Sequence, residues 1–138
     1  MKYIVTASMF FLFSSFNLKA QQNGAIVKKM SLKRGQIVYN KYCMVCHQKD
    51  GGGVQNLNPP LINSKYVSGN KMQLINIVLK GMNEPVEIDG DTYSNPMPAQ
   101  AFLTNEQIAD VLTFIRNNFE NKASVVTVQE VKMQRSKK

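Results

Sequence analysis

Five consecutive residues carry the strongest chemical signal in this chain: Cys43-Met44-Val45-Cys46-His47. Two thiols at this spacing can add to the two vinyl groups on one edge of a porphyrin, and the next residue can donate an imidazole nitrogen to its iron. The sequence therefore predicts one haem c, bound covalently through Cys43 and Cys46, with His47 as an iron ligand.

Two other uses of this motif fit the sequence less well. A structural zinc site takes about four protein ligands, whereas Cys43, Cys46 and His47 are the only Cys and His residues of the chain. A thioredoxin-like redox pair expects a βαβ context, but the flanks here predict a helix before the motif and a glycine-rich loop after it. An iron held by two histidines of this chain is excluded.

The second axial ligand of the iron must then be another residue type. Methionine is the next expected donor, and its thioether raises the reduction potential relative to nitrogen ligands. Met97 lies in the segment Asn95-Pro96-Met97-Pro98, whose prolines restrict the backbone and would hold the thioether in place. We expect Met97 to be the ligand, with Met82 as the alternative. Met44 lies inside the attachment motif, and Met72 falls on the apolar face of a predicted helix.

A ligating His usually donates its second ring N–H to a carbonyl oxygen. The turn Asn58-Pro59-Pro60-Leu61 is the natural source of that carbonyl. Leu61 would then pack against the ring, so Pro60 and Leu61 are included among the predicted cofactor-binding residues.

Three helices are predicted to position these residues. The first begins near Leu32, with Ser31 as its cap, and runs into Cys43. It contains Gly35, which costs ~1 kcal/mol against Ala, so a neighbouring element is expected to approach the backbone there.

The second predicted helix covers residues 71–80, is capped by Ser68 or Asn70 and is followed by Gly81. The third starts with the capping box Thr104-Asn105-Glu106-Gln107 and ends near Asn118 or Phe119. The long polar loop between them, residues 83–101, is expected to be functional because it lacks evident structure.

The first twenty residues predict a secretory signal peptide, with Lys2 before an apolar run and Ala20 before the cleavage point. An uncleaved N-terminal anchor is the alternative, and in both cases the domain is expected in the periplasm. Residues 21–30 are predicted to be a flexible lead-in and residues 31–121 the haem domain. Residues 122–138 form a basic C-terminal tail, either a short strand or a partly disordered extension.

The net charge of +8 does not indicate nucleic-acid binding, because the excess lies in the flanks. Between Met30 and Asn121 there are eight basic and eight acidic residues, so the folded part has no basic face by composition.

These features resemble the class I cytochromes c over residues 32–120. The resemblance rests on Gly35, Tyr39, the attachment motif, Pro59-Pro60-Leu61, Gly90 to Tyr93, Asn95 to Ala99, and Ile108 to Asn117. It implies an all-α fold of three to four helices around one haem, with the N- and C-terminal helices in contact and Phe114 close to Gly35. It also implies covalent attachment at Cys43 and Cys46, a proximal His47 and a distal Met97. The loop pattern is similar to cytochrome modules that accompany periplasmic dehydrogenases and oxidases.

With both axial positions filled, no substrate reaches the iron, so the sequence predicts a single-electron carrier and not an enzyme. Its partners would be redox proteins, a dehydrogenase, an oxidase or a respiratory complex, and a membrane-associated partner is compatible. One alternative is a haem subunit of a larger dehydrogenase or oxidase, attached through the basic tail. The other is a small-ligand-binding haem protein with a labile sixth position. The acidic run Glu84, Glu87, Asp89 and Asp91 is a candidate docking site for a basic partner.

Overall fold

The computed structural model describes residues 24–137 of the chain. The described residues divide into two units, residues 24–30 and 31–137. In the first unit residues 24–30 are helical, where the sequence predicts a flexible lead-in. The predicted signal peptide, residues 1–20, lies outside the described residues, and the predicted domain limits stay predictions.

The described chain is mostly helical, as predicted. In the second unit residues 31–42 are helical, and we call them α1. The further helices are α2 (Met44–His47), α3 (Lys65–Ser68), α4 (Lys71–Lys80), α5 (Asn105–Ile115) and α6 (Val128–Arg135). A hairpin of two short strands, β1 (Val86–Ile88) and β2 (Asp91–Tyr93), lies between α4 and α5. No helix within residues 24–137 is both long and apolar enough to cross a membrane.

The caps of α4 and α5 are those that the sequence predicts. The side chain of Asn70 accepts hydrogen bonds from the backbone N–H groups of Met72 and Gln73, at 2.8 and 3.3 Å. Thr104 and Gln107 form the reciprocal capping box of α5. The predicted end of α5 is wrong by three residues or more, because the helix ends at Ile115 and the chain turns after it.

The close approach at Gly35 is confirmed, and it joins α1 to α5. A Cβ atom at Gly35 would lie 2.1 Å from the carbonyl oxygen of Asp110 and 2.7 Å from the Cβ of Phe114. Only a residue without a side chain fits there. Beside this contact, the Arg34 guanidinium donates two hydrogen bonds to the carboxylate of Asp110.

The predicted role of Ser31 as a helix cap is wrong, because the helical residues begin before it. Its hydroxyl donates instead to Asp110 Oδ1 over 2.6 Å, so Ser31 strengthens the same contact between α1 and α5.

The loop of residues 83–101 is more ordered than the sequence predicts. β1 and β2 pair in antiparallel register, with Val86 opposite Tyr93. Further along, Met82 and Met97 pair through two backbone hydrogen bonds, of 2.9 and 2.8 Å. The Met82–Met97 bridge is therefore a second antiparallel contact, and it joins the two ends of the segment that contains the hairpin.

The C-terminal tail contains a packed helix, Val128–Arg135, so the strand or partly disordered extension predicted for it is wrong. Thr127 and Glu130 form a capping box at the start of α6. Val131 is fully buried, and Val126 before the helix is also buried. The helix packs on α4 and α5.

Candidate haem site

A deep apolar cleft lies between α2, α4, the hairpin and α5. It encloses about 1000 Å³ of empty space, its open mouth included. None of the described side chains that line it is Asp, Glu, Lys or Arg. Every residue predicted to bind the cofactor lines this cleft: Cys43, Cys46, His47, Pro60, Leu61 and Met97.

Met82, the alternative ligand, also lines the cleft, and so does Pro59 of the predicted turn. The sequence predicts no contact with the cofactor for the other lining residues. They are Tyr42, Ser64, Tyr66, Val67, Leu74, Ile77, Val78, Val86, Ile88, Pro98, Gln100, Leu103, Val111, Leu112 and Ile115. Eight of them are apolar side chains of α4, α5 and the hairpin. Their contribution depends on which helices come together, which local sequence patterns do not specify.

His47 is the last residue of α2, a single turn that follows directly on α1. Its Nδ1 lies 3.0 Å from the carbonyl oxygen of Pro59, so the predicted turn supplies the predicted carbonyl. Burial lowers the pKa of His47, and the Pro59 hydrogen bond acts in the opposite direction. A neutral imidazole that donates through Nδ1 leaves its Nε2 free to bind a metal.

The attachment cysteines are both free and partly buried. Burial, and then the neighbouring Cys46, raise the pKa of the Cys43 thiol to about 11. An unreacted Cys43 is therefore a neutral thiol at physiological pH, which is compatible with its apolar surroundings. Within residues 24–137 no three side chains of the His, Cys, Asp or Glu type are grouped so that they could hold a metal ion.

Met97 lies on the same cleft as His47, and so does Met82. The two methionines are paired partners in an antiparallel bridge, and paired residues project to the same side of such a ladder. The backbone at Gly81 permits this arrangement. Its φ is 75°, and a Cβ there would lie 2.5 Å from the carbonyl oxygen of Met97.

One buried polar group in the cleft has no hydrogen-bond partner among residues 24–137. Ser64 is 4 % exposed, and its Oγ makes no hydrogen bond within the described residues. A buried hydroxyl without a partner is costly. Haem carries two propionate carboxylates that could accept from it. The cleft therefore fits haem by its apolar lining, by the imidazole and the thioethers that line it, and by this hydroxyl.

The fold and the cleft together define a monohaem electron-transfer domain. A family model of cytochrome c matches residues 32–119, so the chain belongs to the cytochrome c family. Members of this family bind haem c covalently and carry electrons, and Cys43, Cys46 and His47 have the spacing of the Cys-x-x-Cys-His motif. The predictions of the family and the cofactor are confirmed, and so is the helical cytochrome c fold, to which the structure adds the β1–β2 hairpin.

Relatives of two kinds are similar to this chain. The cytochrome c subunit of a quinone alcohol dehydrogenase from Gluconacetobacter polyoxogenes is 36% identical over 121 residues, 86% of this chain and 24% of the relative. Cytochrome c-552 from Thermus thermophilus is 34% identical over 105 residues, 70% of this chain and 80% of the relative. The gluconate 2-dehydrogenase cytochrome c subunit of Pantoea cypripedii is 33% identical over 111 residues. The chain spans about a quarter of the length of these dehydrogenase subunits.

Proposed function

We propose that this chain is an exported single-electron carrier whose haem c is attached at Cys43 and Cys46 and whose iron is bound by His47 and Met97. The observation that carries the proposal is that His47 and Met97 line one apolar cleft, with the second ring nitrogen of His47 held by Pro59. When bound, the haem supplies a one-electron couple between the ferrous and ferric states of its iron.

The residues of the cleft suit a carrier better than a catalyst. Two protein ligands leave no open position for a substrate, and the apolar lining excludes water from the ring. Exclusion of water disfavours the more highly charged ferric state and so raises the reduction potential. A thioether ligand acts in the same direction.

The choice between Met97 and Met82 is tested by replacing each in turn with Leu. We expect Met97→Leu to lose the Met–iron charge-transfer band and to bind carbon monoxide readily in the reduced state. Met82→Leu is the matched control, since it removes the paired thioether and should keep the band. A band that survives in Met97→Leu and disappears in Met82→Leu would reverse the assignment.

The electron-transfer partner is proposed to be a redox protein with a basic docking surface. Glu84, Glu87 and Asp89 are exposed on or next to the hairpin, whose β1 residues Val86 and Ile88 face the cleft. Within residues 24–137 none of these carboxylates forms an ion pair. Electron transfer should therefore slow as salt rises. A Glu84→Gln, Glu87→Gln double variant should lose most of that dependence, and rates insensitive to ionic strength would contradict the proposal.

A second candidate function is a haem subunit of a larger dehydrogenase. It is favoured by the 36% identity to a quinone alcohol dehydrogenase cytochrome c subunit over 86% of this chain. Purification of the whole chain from its host under mild conditions separates the two candidates. Co-elution with a dehydrogenase supports the subunit, and elution as a lone small protein supports the free carrier.

Export is tested on the same preparation. Cleavage after Ala20 predicts a mature protein that begins at Gln21. A purified holoprotein that retains Met1 would show the uncleaved anchor instead.

A further inference from the structure

The C-terminal helix α6 lies beyond residues 32–119, which the cytochrome c family model matches, yet it is firmly attached to the domain. Val131 is fully buried, and Glu130 forms an ion pair with Lys71 at the start of α4. This attachment makes α6 rigid enough to hold another part of the chain in place.

Arg135, at the end of α6, is directed at the segment between Met97 and α5. Its Nη1 donates to the carbonyl oxygen of Ala101 over 2.8 Å, and its Nη2 to that of Leu103 over 2.7 Å. Its Nε donates to Asn105 Oδ1 over 2.7 Å. All three nitrogen atoms of the guanidinium therefore donate a hydrogen bond, which gives this contact a fixed geometry.

The segment that Arg135 holds is the one that carries the proposed iron ligand. On its α4 side, Met97 pairs with Met82, and the N–H of Gln100 donates to the carbonyl of Val78 over 2.8 Å. Leu103 is 2 % exposed and lines the cleft. Between Met97 and α5 the backbone is thus hydrogen-bonded to α4 and the residues just after it on one side, and to Arg135 of α6 on the other.

We propose that Arg135 is a positioning residue for Met97, so that α6 keeps the sixth ligand on the iron. This inference rests on the His47–Met97 ligation proposed above. Without the guanidinium, two backbone carbonyls lose their charged donor, and the segment is fixed only on its α4 side. Met97 then leaves the iron more readily, and a competing ligand takes its place more easily.

The test uses the full-length ferric holoprotein, with imidazole as the competing ligand. Arg135→Gln should bind imidazole about threefold to tenfold more tightly than the wild type, the range expected for losing one or two partly exposed charged hydrogen bonds. Its Met–iron charge-transfer band should also disappear at a lower pH on alkaline titration. The affinity of Arg135→Lys for imidazole should lie between those of Arg135→Gln and the wild type, because an ammonium group cannot reproduce the three guanidinium hydrogen bonds.

Two control variants separate positioning from general destabilisation. Lys71→Gln breaks the ion pair with Glu130 and should lower the urea midpoint as Arg135→Gln does. Its affinity for imidazole should stay closer to that of the wild type, because the buried Val131 still holds α6 and Arg135 in place. Lys132→Gln removes an exposed charge from the same helix and should change neither quantity. Equal imidazole affinities for Lys71→Gln and Arg135→Gln would show that Arg135 acts through stability alone and would overturn the inference.

The inference and the proposed function fail in different ways. A wild-type protein without the Met–iron band overturns the ligation by Met97 and the inference with it. A wild type that shows the band, with an Arg135→Gln variant of unchanged imidazole affinity, overturns the inference alone.

Discussion

His47 Nδ1 lies 3.0 Å from the carbonyl oxygen of Pro59, and this hydrogen bond sets both the orientation and the electron-donating strength of the imidazole. A carbonyl acceptor makes the ring a better donor to iron. Since Pro60 restricts the backbone of the residue before it, the position of the accepting carbonyl depends on the ring of Pro60.

Pro60→Ala should therefore raise the reduction potential. A less constrained Pro59 carbonyl bonds Nδ1 more weakly, so the imidazole stabilises the ferric iron less. We expect an increase of about 20–60 mV, since 59 mV corresponds to a tenfold change for one electron and a hydrogen bond contributes about 1 kcal/mol. Voltammetry of the holoprotein measures it. Pro85→Ala, an exposed position before β1, is the control, and a lowered potential in Pro60→Ala would contradict the argument.

Gly35→Ala should destabilise the fold by about 1–3 kcal/mol, the usual cost of overpacking. The added methyl group would lie 2.1 Å from the carbonyl oxygen of Asp110, so α1 and α5 must separate. Urea unfolding of the holoprotein measures the loss. Gly24→Ala is the matched control, because nothing lies within 4 Å of a Cβ there and alanine favours helix. Equal stabilities of the two variants would refute the close contact.

In Ser64→Ala, the pH range over which the reduction potential changes should lie higher than in the wild type. A hydroxyl that donates to a haem propionate stabilises its ionised form, so removal of the donor raises the propionate pKa. We expect an upward move of about half to one unit, because one unit corresponds to 1.36 kcal/mol. Potentials measured from pH 4 to 9 report it. Ser68→Ala is the control for a change in α3, to which Ser68 belongs. Identical pH profiles for the wild type and both variants would rule out a hydrogen bond from Ser64 to a propionate.

Glu130→Gln should cost stability at neutral pH and very little in acid. Burial acts to raise the pKa of Glu130, but hydrogen bonds from Lys71 and Thr127 outweigh it, so the pKa lies below its ordinary value. A carboxylate with a lowered pKa stabilises the fold above the unfolded pKa of ~4.3, and this contribution disappears as the pH falls through the folded value.

We expect Glu130→Gln to lose about 1 kcal/mol at pH 7, with wild type and variant converging near pH 3. Urea unfolding at both pH values measures the difference. Glu120→Gln, at an exposed position, should stay within about 0.5 kcal/mol of the wild type at both. A constant difference between wild type and Glu130→Gln across this range would show that the ion pair with Lys71 does not stabilise the fold.

The features predicted correctly are those that neighbouring residues determine. Asn70 and the Thr104–Gln107 pair cap their helices with atoms two or three residues away, so the signal is contained in a few letters. Gly35 is a long-range contact, but a glycine inside a helical stripe indicates it. The six predicted haem-binding residues share one cleft, because the motif, the turn and the proline-flanked loop each have a recognisable chemistry.

The features that were not predicted have ambiguous sequence patterns or none. Thr127-x-x-Glu130 is a capping box like that of α5, but the valines around it also suit a strand. Asp89-Gly90 between Val86–Ile88 and Asp91–Tyr93 is the usual hairpin turn signal. The sequence predicts Ser31 as a cap because no local pattern indicates that helical residues precede it. Ser64 and Arg135 carry no local signal, because their roles depend on elements far along the chain.

The contact between α1 and α5 also has a consequence for the order of assembly. Arg34 and Asp110 are 76 residues apart in the chain, whereas the attachment motif and the turn at Pro59 are complete by residue 61. A growing or extended chain therefore presents the two thiols long before its ends can meet. The wall that α5 contributes to the cleft can form only after residues 105–115 are present. The two thiols and His47 are therefore accessible to a haem before Asp110 can pack against Gly35 and complete that wall.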